Sequence, residues 1–350
     1  MVKKVGVLTG GGDCPGLNVI IRAIVRRCAN EGGIECLGIL RGWRGLLDGL
    51  TSKVTVDDVS GILPRGGTIL RTSQTNPLAA PDGPAHIIEN VRKFELDGIV
   101  AVGGNDSMSV AEKLHTEHSL PIVGVPATID NDVYGTDYSF GFDSAINTAM
   151  EAIDRIHTTA ESHDRVMIIE VMGGLAGWIA VYAGLAGGAD IILLPEKTLT
   201  VQQVCDIIIG RHDRGKDFSI VVVAEGTRIA ERPGEEGTCV VRDSTTNEFG
   251  QSRLGGIGSV LAKEIERLTG YETRVTVLGH IQRGGSPTAF DRVLGARFGV
   301  RAVELILNGR FGRMVALQGD KVLSIPLTET SGKTKTVPDD LYEVARTFFG

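Results

Sequence analysis

The sequence predicts an α/β protein built from two doubly wound, Rossmann-like, three-layer domains, each with a parallel sheet core. Short apolar runs of strand length alternate with amphipathic segments of ten or more residues, and no hairpin signals separate them, which is typical of parallel sheets. About seven such strand–helix units precede Gly226, which is too many for one modest core. Glycine, at 47 of 350 residues, reaches about twice its average share of roughly 7% and clusters where apolar runs stop.

The predicted elements follow one another in a regular order. Runs rich in Val and Ile, bounded by Gly or Pro, predict buried strands, and apolar residues at helical spacing predict helices. Up to Pro126 the order is strand KKVGVLT, helix GLNVIIRAIVRRCANEG, strand GIECLGIL, helix PAHIIENVRKFELDG, strand IVAVGG, helix SMSVAEKLHTEH and strand PIVGVP. Beyond it the order is helix SFGFDSAINTAMEAIDRIHTTAESH, strand RVMIIEVMG, helix LAGWIAVYAGLAGG, strand DIILLPE, helix TVQQVCDIIIGRHDRG and strand FSIVVVAEG. The polar stretch TRIAERPGEEGTCVVRDSTTNEFGQS predicts a small hairpin or a mobile loop, and DDLYEVARTFFG predicts a terminal helix.

Composition narrows the class of protein. Apolar residues make up 42% and charged residues 23%, as in a soluble globular protein. No apolar run reaches eighteen residues, and the N-terminal apolar stretch is too short for a secretory signal. The net charge of -7 argues against a nucleic-acid partner. The five cysteines show no metal-binding spacing and predict reduced thiols in a cytoplasmic protein: Cys14, Cys28, Cys36, Cys205 and Cys239.

Glycine and acidic clusters follow three of the predicted strands. Gly10–Asp13, Gly103–Ser107 and the pair Asp130 and Asp132 each come directly after an apolar run. Ligands of doubly wound sheets bind beyond the carboxyl ends of the strands. A glycine turn that runs into a helix suits phosphate, although such turns also use glycine for steric reasons alone. The turn is neither a Walker A motif nor a clean GxGxxG motif.

The charged residues at these strand ends favour phosphoryl transfer. Asp130 and Asp132 suit a general base beside a Mg²⁺ ligand, or alternatively an Asx-turn cluster on a solvated loop. Arg274, His280 and Arg283 suit a phosphate grip, or alternatively a set of surface charges. Arg165 and Glu225 occupy similar strand-edge positions. A base, a metal and clustered cations are the parts that phosphoryl transfer needs.

The motifs resemble those of one known family, the 6-phosphofructokinases. The resemblance extends over nearly the whole chain, through GVLTGGGDCPGLN, TIDNDVYGTDYSFGFDSAI, EAIDR, VMGGLAGWIA and VLGHIQRGGSPTAFDR. The motifs TIDND and GHIQRGG together are specific to this family, because their occurrence in this order by chance is implausible. The stretch after Glu225 and the segment AGWIA are most similar to the sequences of the short branch of the family, which mixes ATP-using and pyrophosphate-using members.

The resemblance implies a set of substrate-side roles. Asp130 would deprotonate the 1-hydroxyl of fructose 6-phosphate, with Asp132 beside it and Thr128 near the transferring phosphoryl group. Arg165 and Arg274, from a neighbouring subunit, would bind the 6-phosphate with His280 and Arg283. The fructose would be lined by Met172, Gly173 and Glu225. These roles imply a homodimer or homotetramer.

The resemblance also implies two domains and a donor site. Residues 1–140 plus about 287–334 would bind the donor, and residues 141–286 plus about 335–350 the sugar phosphate. Magnesium (Mg2+) would be held by Asn105 and Asp132. The donor site would contain Gly11, Gly12, Gly104, Asn105, Asp106 and Ser107.

The donor side departs from the family pattern. Ala127 stands where most of this branch has Lys, and Gln74 and Gly174 stand where the family has Arg. Asn105 replaces an acid that helps to hold the metal. Asp106 replaces a Gly that admits the α-phosphate of a nucleotide. The loss of one such cation commonly lowers a rate by about 10²- to 10³-fold.

Three functions are therefore weighed for the donor side. Pyrophosphate is slightly favoured over ATP because of Asp106. The alternatives are an ATP-dependent enzyme and a catalytically weak paralogue that binds sugar phosphate as a regulatory partner. Arg71, Arg41 and Arg44 are nearby cations that would compensate for the losses by turning inward. Regulation is not predicted, although Arg22 and Arg26 match effector-binding cations of allosteric relatives, because His157 replaces an Arg there.

Overall fold

The computed structural model describes residues 2–350, apart from the side chains of residues 243, 244 and 253. It contains the strands β1 (Lys4–Gly10), β2 (Glu35–Ile39), β3 (Thr51–Lys53), β4 (Gly98–Gly103), β5 (Ile122–Pro126), β6 (Val166–Val171), β7 (Ile191–Leu193), β8 (Leu199–Thr200), β9 (Ser219–Ala224), β10 (Arg228–Ala230), β11 (Thr238–Cys239), β12 (Val241–Thr246), β13 (Ser252–Leu254), β14 (Thr273–Val277), β15 (Arg313–Gln318) and β16 (Lys321–Pro326).

The helices lie mostly between these strands. They are α1 (Leu17–Asn30), α2 (Trp43–Asp48), α3 (Gly83–Lys93), α4 (Asn105–His118), α5 (Phe142–His163), α6 (Trp178–Ala186), α7 (Val201–His212), α8 (Ile257–Thr269), α9 (Ala289–Leu307) and α10 (Asp339–Arg346). The chain divides into two compact units. The first contains Met1–Ser144, Asn247–Gly250 and Arg283–Lys335, and the second contains Ala145–Thr246, Gln251–Gln282 and Thr336–Gly350.

The first unit is built on a seven-stranded sheet with the order β16-β15-β5-β4-β1-β2-β3. The five inner strands are parallel, and the two edge strands β3 and β16 are antiparallel to their neighbours. Strands β1, β4 and β5 are almost wholly buried because their Val-, Ile- and Gly-rich sequences place apolar side chains on both faces. The three sequence clusters predicted to bind ligand follow these three central strands.

Helices cover both faces of this sheet. Alternate strand residues such as Leu8 and Ala101 pack with buried residues of α2, α3 and α4, and α1 and α9 pack together and contact the strands as well. Side chains alternate between the two faces of a strand, so side chains of β1 pack against the helices on both faces of the sheet. The result is the three-layer, parallel-dominated α/β core that the sequence predicts.

The second unit has a four-stranded parallel sheet with the order β14-β6-β9-β7. Apolar residues of α7 and α8, among them Ile208 and Leu261, pack against Ile168 and Val221 of its central strands. The polar stretch after Glu225 forms short antiparallel pairs, β10 with β11 and β12 with β13. The sequence predicted a small hairpin or a mobile loop here, and the structure contains hairpin pairs.

The start of one helix differs from the expectation from sequence. Helix α4 begins at Asn105, two residues before the predicted start, so Asn105 and Asp106 lie in its first turn and Gly104 is its N-cap. Within residues 2–350, no helix combines the length and the apolar character that a bilayer crossing requires. All five cysteines are free thiols.

Candidate active site

The glycine turn after β1 is pinned by the segment that contains residues 72 and 73. The Gly11 amide donates to the Ser73 carbonyl oxygen at 2.9 Å, and Thr72 Oγ1 donates to the Gly11 carbonyl oxygen at 2.7 Å. Gly11 has a φ of 87°, which a residue with a side chain rarely adopts. The Gly11 N–H is therefore already bonded within the protein, and Gly12 is the next amide of the turn.

Arg283 lies against this turn. A Cβ atom at Gly12 would overlap the Arg283 guanidinium, whose Nη1 donates to the Asp13 carbonyl oxygen at 3.1 Å. The resemblance assigns Arg283 to the sugar 6-phosphate. The structure places Arg283 in the first unit, beside the predicted donor-binding glycines. Glycine at position 12 permits this approach because it has no side chain.

The end of β4 packs closely on the end of β1. Ser107 is buried, and its Oγ lies so close to Gly10 and Gly103 that a Cβ atom at either glycine would collide with it. Gly104 faces Thr128, whose Cβ lies 3.6 Å from the position of a Gly104 Cβ. The loops after β1, β4 and β5 therefore meet at one edge of the sheet, as expected for parallel strands.

Asp130 is held in a tight turn with Thr128. The Asp130 amide donates to Thr128 Oγ1 at 3.1 Å, and Thr128 Oγ1 donates to Asp130 Oδ2 at 3.3 Å. The other carboxyl oxygen of Asp130, Oδ1, is buried and has no hydrogen-bond partner among the residues that the structure describes. A buried polar atom without a partner is costly. Such an atom is suited to accept a bond from a substrate.

Asp132 is bonded to Asn105 and approached by a lysine from the end of the first unit. Asn105 Nδ2 donates to Asp132 Oδ2 at 2.8 Å, so the two predicted metal ligands lie together. The Lys335 amide donates to the Asp132 carbonyl oxygen at 2.8 Å, and Lys335 Nζ donates to the carbonyl oxygens of Thr136 and Asp137. The loop is thus fixed from two distant parts of the chain.

The two carboxyls have raised pKa values. Burial raises the pKa of Asp130, and the Arg283 guanidinium opposes that rise. Burial, together with the charge of Asp130, raises the pKa of Asp132 to about 7. Burial lowers the pKa of Lys335 to about 8. Raised carboxyl pKa values in a cluster at strand ends are typical of sites that handle protons or metal ions.

We expect an Asp132→Asn variant to change how stability depends on pH. The folded-state pKa of about 7 exceeds the ordinary value of 3.8, so the folded protein binds more protons than the unfolded chain between these values. The Asp132 contribution is therefore fully present below about pH 4 and is lost as the pH rises through 7. Thermal unfolding measured from pH 4 to 8 should show a weaker decline in stability for the variant than for the wild type.

An Asp137→Asn variant is the control for that experiment. Asp137 lies in the same loop and accepts a hydrogen bond from the Gly319 amide at 2.6 Å, which an asparagine oxygen can also accept. Its melting temperature at a single pH shows how much an Asp→Asn change in this loop destabilises the fold, apart from the titration of Asp132. An Asp132→Asn protein with the wild-type slope would show that Asp132 titrates in its ordinary range.

Oxygen atoms at the Asp132 position fit a divalent cation. The amide oxygen of Asn105 and the carboxylate oxygens of Asp132 are the ligand type that Mg²⁺ prefers. No cluster of three His, Cys, Asp or Glu side chains suited to a metal is found among the described residues. A cation held here would complete its shell with phosphate oxygens and water, as Mg²⁺ commonly does.

In the second unit, Arg165 and Arg274 share one carboxylate. Arg165 Nη2 lies 2.8 Å from Glu272 Oε1, and Arg274 Nη2 bonds to the same oxygen. The strand register places Arg274 opposite Met167, two residues after Arg165. The structure therefore brings together the two arginines that the resemblance assigns to the sugar 6-phosphate. The bond from Arg165 lowers the pKa of Glu272, which stays ionised between them.

The predicted fructose-lining residues also lie at neighbouring strand ends of the second unit. Met172 and Gly173 follow β6, and Glu225 follows β9, the adjacent strand. Glu225 Oε1 accepts a hydrogen bond from the Gly174 amide at 3.1 Å. A Cβ atom at Gly173, whose φ is 141°, would lie 2.6 Å from the Ala176 carbonyl oxygen. Glycine is therefore required for this turn.

His280 is exposed within the short 3-10 turn Gly279–Arg283 that follows β14. The turn is anchored by Gln282, which is fully buried and donates to the Gly279 carbonyl oxygen at 3.1 Å. The Leu278 amide donates to the Glu170 carbonyl oxygen at 3.0 Å. These bonds hold the turn against β6 and leave the His280 imidazole accessible.

The positions that depart from the family pattern have distinct environments. Ala127 is only 2% exposed, and its amide donates to the Gly103 carbonyl oxygen at 2.9 Å. Gln74 is exposed. Gly174 has a φ of 58°, so an arginine there would be strained. Ala127 therefore borders the end of β4, and Gln74 follows Ser73, which bonds to the glycine turn.

Several residues that organise these sites were not singled out from the sequence. Lys335 reaches the Asp132 loop from about two hundred positions away along the chain, and Glu272 joins the two arginines. Asp291 is fully buried and accepts hydrogen bonds from the Gly141 and Ser144 amides, each at 2.8 Å. Burial raises the pKa of Asp291 to about 6. Asp291 lies within the family motif segment FDR, but no local sequence pattern indicates the roles of Lys335 and Glu272.

A doubly wound scaffold with a glycine turn and buried carboxyls at the carboxyl ends of its strands is typical of phosphate-binding enzymes. Residues 4–306 match the family model described as Phosphofructokinase. The chain belongs to the phosphofructokinase family. The resemblance drawn from its motifs, and the class of enzyme it implies, are thereby confirmed.

Relatives and solved structures agree with this assignment. The chain is 51% identical to a pyrophosphate–fructose 6-phosphate 1-phosphotransferase of Streptomyces coelicolor, over 99% of this chain and 100% of that protein. It is 45% identical to an ATP-dependent 6-phosphofructokinase of Mycobacterium bovis over the same shares of both chains. Its fold is similar to that of Pichia pastoris phosphofructokinase in the T-state, with a TM-score of 0.83 and 31% identity. That likeness covers 99% of this chain, which spans only 39% of the longer yeast chain.

Proposed function

We propose that this protein transfers a phosphoryl group to the 1-hydroxyl of fructose 6-phosphate, with pyrophosphate favoured as the donor. The observation that carries the proposal is the buried Asp130 Oδ1 atom, which has no hydrogen-bond partner among the described residues. It lies in the loop that meets the other two strand ends of the first unit. Its position suits an atom that accepts the proton of a substrate hydroxyl.

In the proposed reaction Asp130 accepts the hydroxyl proton as the sugar oxygen attacks the terminal phosphorus of the donor. The new O–P bond forms while the bond to the leaving phosphate breaks, and that leaving group takes the electron pair. Arg283 favours the ionised form of Asp130 and lies beside the glycine turn, where its charge would stabilise the transferring group. Thr128 holds the Asp130 carboxylate in position.

Asn105 and Asp132 would hold the magnesium ion. When bound, the ion would neutralise charge on the donor phosphates. The pKa of Asp132, about 7, means that metal binding would displace a proton from this carboxyl near neutral pH. The Asn105 amide, which bonds to Asp132 Oδ2, would orient the carboxylate.

The sugar phosphate would be recognised by residues of the second unit. Arg165 and Arg274 would bind the 6-phosphate together with His280, because guanidinium groups pair well with phosphate oxygens. In family members this grip crosses between subunits, so we propose that the protein acts as a homodimer or homotetramer. Met172, Gly173 and Glu225 would contact the fructose.

The donor assignment rests on Asp106 in the first turn of α4. A carboxylate at this position would repel the α-phosphate of a nucleotide, since like charges placed close together cost several kcal/mol. Pyrophosphate has no such group. The relatives named above include one that uses each donor, so their names leave both donors open.

A direct assay tests the proposal. The purified protein is offered fructose 6-phosphate and Mg²⁺ with either pyrophosphate or ATP, and fructose 1,6-bisphosphate is measured. Turnover that is faster with pyrophosphate supports the proposal, and faster turnover with ATP supports the alternative donor. If neither donor gives product while fructose 6-phosphate still raises the melting temperature, the chain is a sugar-phosphate-binding paralogue.

We expect an Asp106→Gly variant to shift donor use toward ATP. Removal of the carboxylate removes its repulsion of the α-phosphate, so the ratio of kcat/KM for ATP to that for pyrophosphate should rise roughly 10- to 100-fold. An Asp106→Asn variant separates charge from size, because it keeps the side chain but removes the charge. An unchanged donor ratio in both variants would exclude Asp106 as the residue that selects the donor.

A further inference from the structure

The first unit carries a basic cavity of about 430 Å³ beside the glycine turn. It is lined by Arg41, Arg44, Asp48 and four residues of the stretch 71–75 that include Arg71. Arg44 forms an ion pair with Asp48, and the carboxylate of Glu248 also lies near it. In the part of the chain that the structure describes, no carboxylate lies within 4.0 Å of Arg41 or Arg71. Arg41 and Arg71 therefore line the cavity without an ion-pair partner among the described residues.

The backbone at both of these arginines is strained. Seven non-glycine residues of the described chain have positive φ angles, and two of the seven are Arg41, at 63°, and Arg71, at 61°. Glycine or asparagine adopts this conformation at a lower cost than arginine. Strained residues that cluster at one place are a basis for inferring function. Two such arginines on one cavity indicate that their charge is needed there.

Hydrogen bonds hold both strained positions in place. The Arg41 amide donates to the Leu70 carbonyl oxygen at 2.8 Å, and Ser73 Oγ donates to the Arg41 carbonyl oxygen at 2.7 Å. Thr9 Oγ1 donates to the Arg71 carbonyl oxygen at 2.9 Å. These bonds fix the direction in which each side chain leaves the backbone before a ligand arrives.

The wall of the cavity is continuous with the proposed donor site. Thr72 and Ser73, which line the cavity, are the residues bonded to the carbonyl oxygen and the amide of Gly11. An extended phosphate chain that begins at the glycine turn would therefore run along residues 72 and 73. Its far end would meet Arg41 and Arg71.

We propose that Arg41 and Arg71 bind the leaving phosphates of the phosphoryl donor, an oligophosphate chain that is either inorganic or the tail of a nucleotide. The two arginines supply positive charge that Gln74 and Ala127 do not. As the donor bond breaks, negative charge grows on the leaving group, and guanidinium groups placed there stabilise it. This inference rests on the proposed function.

The test uses glycine substitutions, because glycine removes the charge and also accepts the positive φ. Arg41→Gly, Arg71→Gly and the double variant are compared with Ser119→Gly, a matched control at the end of α4 with a φ of 56°. All of these variants should gain thermal stability by relief of strain. The arginine variants alone should lose affinity for oligophosphate.

Affinity is measured by calorimetry with pyrophosphate, tripolyphosphate and ATP, each titrated without sugar phosphate. We expect the dissociation constant for pyrophosphate and tripolyphosphate to rise roughly tenfold for each arginine removed, with no change in Ser119→Gly. In turnover assays the KM for the donor should rise, and the KM for fructose 6-phosphate should not. An Arg71→Lys variant should retain part of the affinity.

The outcomes separate this inference from the proposed function. If the wild type turns over no donor but the arginine variants lose oligophosphate affinity, the proposed function fails and the arginine site stands. Unchanged affinity for all three anions in the double variant would overturn the site, even in an active enzyme. Whether tripolyphosphate or ATP loses more affinity identifies an inorganic or a nucleotide source.

Discussion

An Asp130→Asn variant is expected to fold normally and to lose most of its turnover, with kcat reduced roughly 10²- to 10⁴-fold for the better donor. The amide is nearly isosteric with the carboxyl and can still accept the bond from Thr128 Oγ1. It cannot take up a proton from an attacking hydroxyl at neutral pH. The KM for fructose 6-phosphate should change little, because in the proposed reaction Asp130 acts only on the hydroxyl that reacts.

Two measurements distinguish loss of the base from damage to the loop. The thermal midpoint of Asp130→Asn should be no lower than that of the wild type, and the Asp137→Asn control should retain turnover. The charge of Asp130 raises the pKa of Asp132, so the variant should also titrate Asp132 at a lower pH. Undiminished kcat in Asp130→Asn would assign the base to another group.

Replacement of Arg283 by glutamine is expected to lower kcat roughly 10²- to 10³-fold at neutral pH. The guanidinium lies against Gly12 and bonds to the Asp13 carbonyl oxygen, so its loss removes a cation from the glycine turn that we propose binds the donor. It also removes the charge that opposes the rise in the pKa of Asp130. Less of the Asp130 carboxyl is then ionised at a given pH.

The sign of the pH effect makes this prediction specific. A higher pKa at Asp130 moves the acidic limb of the kcat profile to higher pH, so part of the lost activity should return as the pH rises. Arg283→Lys keeps the charge and should leave the acidic limb close to that of the wild type. A glutamine variant whose acidic limb does not move would show that Arg283 leaves the ionisation of Asp130 unaffected.

The central strands and their helices were predictable because the signals are local. Runs such as VGVLT and IVAVGG bury both faces of a strand, and amphipathic segments between them predict the covering helices. The edge strands β3 and β16 were not predicted, since they are antiparallel and their pairing depends on distant partners. Strand β15 and helix α9 were not predicted either.

The candidate site was predictable where chemistry follows a strand directly. Asp130, Asp132 and Asn105 were found because each lies just beyond an apolar run, and the structure brings Asn105 to Asp132. Lys335 was missed because its approach to Asp132 depends on the whole course of the chain. The position of Arg283 against Gly12 was not predicted for the same reason, because it too depends on the course of the whole chain.

The course of the chain through the first unit has a consequence for biosynthesis. The bridge between Val133 and Thr334 and the Lys335 amide bond to Asp132 join the loop that contains Asp130 and Asp132 to residues that emerge from the ribosome about two hundred positions later. One edge of strand β5 likewise stays unpaired until β15, which pairs with it at Val123 and Gly124, has been synthesised. Contacts so distant in sequence form late and slowly. A nascent chain therefore completes this loop only after residues 334 and 335 have emerged, and until β15 has emerged the edge of β5 that pairs with it stays open.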